Sequence, residues 1–338
     1  MRYKMTNLNE LASQIIGGKR LTRVDDLSFF KTCDLGELTS AADKIREHFM
    51  GENVDLCTII NGRSGKCGEN CKFCAQSAHN HTGCTEYSFL DEEKIIAEAR
   101  SNQKEGVNRF AIVTAGRALS GENFEKAIRV YERMKKELKI NLCASMGFIT
   151  QEQFKRLKKA GVTSYHHNIE TSKRFFPFIC TTHTYDDRIK TIKLAQSEGF
   201  CVCSGGIIGM GENWDDRIDM AISLAELGIE SIPINALMPV KGTALENQQQ
   251  LGAEEILRTI AIFRYINPTA NIRLAAGRKL LPDNGASAFL NGASASITGD
   301  MLTTSGTTIA DDMKILDSLG LTNKDTSGTA GIINRSIA

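Results

Sequence analysis

The segment GKCGENCKFCAQS places Cys67, Cys71 and Cys74 in the order C-x3-C-x2-C. Three thiolates on one tight loop can hold three irons of a [4Fe-4S] cluster and leave the fourth iron open for chemistry. A structural zinc site is the competing reading, but zinc seeks a fourth nearby Cys or His, and this spacing is not the paired spacing of zinc ribbons. Phe73, just before the third cysteine, is either core filler or a wall of the same site. Ten cysteines in 338 residues are too few for a disulfide scaffold. Clustered as they are, with Cys84 near the loop and Cys201 and Cys203 two apart, they point to metal ligation or catalysis in a reducing compartment.

A second group of polar residues stands out by strand parity, since side chains alternate faces with period two. In SYHHNIE, His166, Asn168 and Glu170 share one face, while Tyr165, His167 and Ile169 share the other. Cys201, Cys203 and Gly205 share a face of a later strand, as do Arg273, Ala275 and Gly277 of another. Taken singly, an Asn or His on a strand is most often a satisfied core group. An Arg inside a short apolar strand needs an anionic or metal-bound partner if it is buried.

The elements that must position these groups alternate regularly. Strand candidates span 56–61, 108–116, 140–147, 164–170, 200–209, 231–237, 271–277 and 294–300, and the segments between them carry apolar residues at helical spacing, such as Phe124, Ala127, Ile128 and Tyr131. Thr150 and Gln153 have capping-box spacing, and Gly161 and Gly199 sit where helices should stop. Eight strands in strict alternation with helices favour an α/β fold of the (β/α)8 TIM-barrel type over an open doubly wound sheet. Residues 1–50 read as a helical lead-in, 51–322 as the barrel and 323–338 as a loose tail. On such a barrel the cysteine loop, which follows the first strand, lies at the C-terminal face where active sites are found.

Forty-one Lys and Arg against forty Asp and Glu give a net charge of +1 without a polybasic run, which argues against nucleic acid or a membrane surface as partner. The first residues lack the apolar stretch of a secretory signal, and no stretch is long and apolar enough to cross a bilayer, so a cytoplasmic protein is expected.

The cysteine motif with an aromatic before its third Cys resembles the radical S-adenosylmethionine enzymes. Further blocks in order, VDLCTIINGRSGKCGENCKFCAQS, SYHHNIETS, CTTHTYDDR, VCSGGIIGMGE, SIPINALMPVKGT, IRLAAGR and LTT, resemble the biotin synthase family across nearly the whole chain. The resemblance implies a barrel in which the open iron of a [4Fe-4S] cluster on Cys67, Cys71 and Cys74 binds and reductively cleaves S-adenosylmethionine. The resulting radical takes hydrogen from unactivated carbons of dethiobiotin, and sulfur enters from an auxiliary iron–sulfur cluster. It further implies a homodimer and an electron donor such as flavodoxin or ferredoxin. Residue by residue, it places Phe73 and Asn168 at S-adenosylmethionine, with Asn168 also at dethiobiotin, and Glu170, where the family usually has Asp, at the ribose hydroxyls. Asn235 and the Thr303–Thr304 pair fall at the ureido ring and carboxylate tail of dethiobiotin, and Arg273 at the auxiliary cluster. His166 departs from the usual asparagine.

The family's usual auxiliary cluster is [2Fe-2S], held by three cysteines and one arginine. Cys143, Cys203 and Arg273 match, but Ala111 stands where the remaining cysteine is expected, and a methyl group cannot bind iron. Either this cluster is lost or another residue ligates a cluster of different shape. The expectation is the second, with four irons and a labile sulfide as one form, held by Cys143, Cys203 and Cys180 with Arg273 nearby, and with Cys84 as the alternative ligand. Cys33, Cys57 and Cys201 are expected to be small buried hydrophobes. Two rivals remain at this stage: a related radical enzyme acting on another small molecule, and an iron–sulfur carrier, which would have no need of the polar barrel interior.

Overall fold

The computed structural model describes residues 7–299 and 306–324. After the helices α1 (Leu8–Ile16) and α2 (Leu35–Met50) the chain alternates strand and helix: β1 (Asp55–Arg63), α3 (Glu92–Lys104), β2 (Arg109–Thr114), α4 (Gly121–Glu137), β3 (Asn141–Ser145), α5 (Gln151–Lys159), β4 (Ser164–His166) and α6 (Tyr185–Ser197). It continues through β5 (Cys201–Cys203), β6 (Gly206–Ile208), α7 (Trp214–Glu226), β7 (Ser231–Ala236), α8 (Ala253–Ile266), β8 (Asn271–Leu274), α9 (Ala286–Phe289), β9 (Ala295–Ile297) and α10 (Ile309–Ser318).

All strand pairings are parallel, β1 pairs with both β2 and β9, and β5 pairs with β4 on one side and β7 on the other, so the sheet closes on itself. The result is the eight-stranded barrel expected from the alternation, with one strand broken. The expected fifth strand, 200–209, splits into β5 and β6 because the chain kinks at Ser204–Gly205. An added Cβ on Gly205 would lie 1.9 Å from the Pro233 carbonyl oxygen, and one on Gly206 would lie 2.3 Å from the Glu170 oxygen. Only glycine permits so close an approach of three backbones.

Local signals account for the helix ends. Thr150 accepts from the Gln153 amide while the Gln153 side chain accepts from the Thr150 amide, and Gly161 and Gly199, both at positive φ, follow the ends of α5 and α6. α4 shows how a barrel helix buries its apolar stripe: Phe124, Ala127, Ile128 and Tyr131 are all buried. α2 packs chiefly on α8 and carries α1, so the lead-in lies against the barrel wall. Among the described residues no helix is long and apolar enough to cross a membrane.

Candidate active site

The barrel encloses a cavity of about 340 Å³ that runs from the cysteine loop down to the inward side chains of the strands. Its mouth is formed by Phe73 and Cys74. The loop that carries them is fixed by its own hydrogen bonds: the Cys67 amide donates to Gln76 O (3.1 Å), Ala78 N to Cys67 O (2.8 Å), and the Asn80 side-chain amide to Cys74 O (2.8 Å). Cys67, Cys71 and Cys74 are thus presented by a pre-shaped turn, as three sulfur donors that fit a cluster with one iron left open.

On the side wall, His166, Asn168 and Glu170 line the cavity, as their common parity requires, whereas Tyr165, His167 and Ile169 are buried on the opposite face. The ladder of β4 ends at His166, and Glu170 adopts φ of +70°, a left-handed conformation uncommon for a side-chain-bearing residue. Its carboxylate accepts from Asn168 Nδ2 (3.2 Å) and lies 3.3 Å from the Arg188 guanidinium. Asn168 Oδ1 accepts from the Gly205 amide (3.0 Å), so the strand break orients this side chain. Asn235 spans the next seam, donating to Gly206 O (3.0 Å) and accepting from Ala276 N (3.2 Å).

The floor holds Cys57 from β1, Cys143 from β3, Cys201 and Cys203 from β5, Arg109 from β2 and Arg273 from β8. Cys57, Ala111 and Cys143 pack against one another. Arg273 is fully enclosed and finds its anionic partner in Asp55, which also lies 3.6 Å from Arg109. One carboxylate thus serves two guanidinium groups, leaving the floor with excess positive charge beside the thiols. Burial pushes the Cys57 thiol up to about 11 and Cys143 well above the ordinary thiol value. Cys203 moves the other way, to about 7, because His166, whose Nδ1 lies 3.4 Å away, and Arg273 outweigh burial. Costly buried thiols gathered beside two guanidinium groups that share one carboxylate fit an anionic metal cluster.

Three sequence expectations change here. Cys180 does not line the cavity: its Sγ lies 3.7 Å from Cys71, because the loop after β4 is pinned to the cysteine loop by Asn70, whose Oδ1 accepts from the Thr181 and Thr182 amides at 2.9 and 3.2 Å. Cys84 is likewise absent from the cavity wall. Cys57, expected to be a small core residue, instead stands on the floor beside Ala111. Asp55 and Arg109 were missed with it, although the parity of DLCTI and RFAIV puts Asp55 and Cys57 on one inward face and Arg109 and Ala111 on another. Thr303 and Thr304 lie outside the described residues.

Comparisons with known proteins bear on the family and the fold. The Radical SAM superfamily pattern matches residues 63–224, and the Biotin and Thiamin Synthesis associated domain matches 233–322. The biotin synthase of Clostridium beijerinckii is 62% identical over 93% of this chain and 99% of its own, and that of Alkaliphilus metalliredigens 59% identical over 93% and 99%. Among solved structures, methylornithine synthase superposes with a TM-score of 0.82 at 19% identity, covering 94% of this chain and 98% of its own, which is a likeness of fold. With a radical-cluster loop at the barrel mouth and relatives at this level of identity over nearly its whole length, the chain belongs to the biotin synthase family of the radical S-adenosylmethionine superfamily.

Proposed function

We propose that the barrel cavity is where this enzyme inserts sulfur into dethiobiotin, with the radical cluster at the mouth on Cys67, Cys71 and Cys74 and an auxiliary cluster at the floor on Cys57, Cys143 and Cys203. When bound, the first supplies the radical from S-adenosylmethionine and the second supplies sulfur. Unactivated C–H bonds resist acid–base chemistry, so the protein's part is to bind, orient and exclude water.

Each wall residue has a task in that scheme. Glu170 offers two carboxylate oxygens to a ribose diol, with Arg188 steadying it from behind. Asn168, fixed by Gly205, stands between cofactor and substrate. Asn235 has one amide hydrogen committed to Gly206 O and one left for a ureido carbonyl. Phe73 closes the mouth. Apolar side chains such as Ile207, Pro233 and Val240 also line the cavity and suit the alkyl part of dethiobiotin.

The observation that carries the floor assignment is the contact of Cys57 and Cys143 with Ala111. The thiol absent from β2 is replaced by one from β1, across the same seam of the barrel. Three thiolates under two guanidinium groups suit a four-iron auxiliary cluster with one iron free for a labile sulfide, rather than [2Fe-2S]. A flavodoxin- or ferredoxin-type electron donor, a homodimer and a cytoplasmic location complete the proposal. Mössbauer spectroscopy with iron and sulfide analysis of anaerobically prepared protein tests it. Two four-iron clusters per chain are expected, and a single cluster, or a [2Fe-2S] spectrum, would reject the floor assignment.

A further inference from the structure

Cys180 is a buried thiol that the cavity does not use. Its Sγ lies 3.7 Å from Cys71 Sγ and 3.4 Å from His183 Nδ1, and the ligand atoms of the three residues lie within 4.8 Å of one another. A separate metal site is the first thing to consider, but His183 is already engaged at both ring nitrogens. Nε2 accepts from Arg188 Nε (3.0 Å), which leaves Nδ1 to donate to the Glu69 carboxylate. Glu69 is itself held by Thr182 Oγ1 (2.6 Å) and Arg117 (3.0 Å). This fully bonded cage holds one sulfur beside the other.

We propose that Cys180 is a positioning residue for the radical cluster: its thiol donates a hydrogen bond to the Cys71 sulfur and so makes the cluster easier to reduce. The proposal rests on Cys71 being a cluster ligand. An iron-bound Cys71 sulfur is a thiolate with no hydrogen to give, so any hydrogen between the two sulfurs belongs to Cys180. Hydrogen bonds to cluster sulfurs help set reduction potential, by drawing off charge that the added electron would otherwise crowd. Of the competing acceptors for that hydrogen, Asn70 Oδ1 at 3.4 Å already takes two backbone amides, and Thr182 Oγ1 at 3.5 Å already accepts from the Asn70 amide while giving its own hydrogen to Glu69. The same cage also reaches the side wall, since Arg188 donates to Asn168 O (2.9 Å) and pairs with Glu170. Cluster ligand and cofactor-binding residues are thereby held by one network.

The test is a redox titration of the four-iron signal that changes on adding S-adenosylmethionine, in the wild-type protein, Cys180→Ala and Cys180→Ser. Cys180→Ala should bind full iron and titrate at a lower potential, while Cys180→Ser, whose hydroxyl still donates, should recover part of the difference. Proton hyperfine spectroscopy of the reduced cluster gives a second readout: an exchangeable coupling present in wild type and absent in Cys180→Ala. Equal potentials in wild type and Cys180→Ala, or an equal fall in both variants, would overturn the proposal. So would loss of iron from either variant, which would make Cys180 a ligand. Cys71→Ala, read by iron content alone, tests the underlying ligand assignment separately.

Discussion

The two ends of the cavity are built on opposite principles. At the mouth, Cys67, Cys71 and Cys74 come from one short loop whose internal hydrogen bonds shape it locally, so the ligand set is contiguous in the chain. At the floor, Cys57, Cys143 and Cys203 come from three strands, β1, β3 and β5, and line one cavity only because the sheet closes. A local motif can tolerate no missing thiol, whereas a ring of strands can shift a ligand to a neighbouring strand. On the proposed floor set Ala111 and Cys57 would be such a shift: they sit in contact on adjacent strands, with Ile59 directly paired to Ala111.

The most severe break in this comparison is at the mouth. Cys71→Ala should abolish formation of 5'-deoxyadenosine while the floor keeps its iron, as measured by product chromatography together with iron analysis. Normal 5'-deoxyadenosine formation would remove the mouth assignment. At the floor the pattern should invert. Cys57→Ser should lose the auxiliary iron and biotin formation yet still cleave S-adenosylmethionine, and a Cys57→Ser protein with full iron and full biotin yield would show that β1 had not replaced β2 as ligand source.

Side-wall changes should be graded rather than absolute. Glu170→Gln keeps the shape but loses the charge, and charge-assisted hydrogen bonds are worth about 1.5 to 3 kcal/mol, or roughly 10- to 150-fold in affinity. Calorimetry should show that loss for S-adenosylmethionine but not for dethiobiotin measured alone; equal loss for both would move the ribose contact elsewhere. The smallest effect is expected at Cys201, which lines the floor one pleat further from the mouth and pairs in register with Ser164 rather than His166. Cys201→Ser should keep near wild-type iron and biotin yield, and iron loss in that variant would widen the floor ligand set.

The same contrast decides what the sequence could reveal. The eight strand positions and the mouth loop were legible because each is written in one contiguous stretch: β-branched runs between capped helices, and C-x3-C-x2-C. The inward face of His166, Asn168 and Glu170 was legible from parity alone. Cys57 was not, since a single cysteine in a strand reads locally as a small apolar residue and gains meaning only when closure sets it against Cys143. Cys180 was placed with the wrong end of the barrel for a related reason. Its position in the chain lies between two cavity-lining strands, but its position in space is set by Asn70 clasping the loop from the cysteine turn. The break in the fifth strand was hidden as well, because two consecutive glycines reveal a close backbone approach only once the partner strand is known.

That glycine seam has an evolutionary consequence. Backbone atoms of Pro233 and Glu170 occupy the space that a side chain on Gly205 or Gly206 would need, and Asn168 takes its orientation from the Gly205 amide. Neutral drift is therefore blocked at both positions even though neither touches a ligand through a side chain. In a mutational library of this barrel, the Gly205–Gly206 pair should be as intolerant as the cluster cysteines, for a reason that concerns space rather than chemistry.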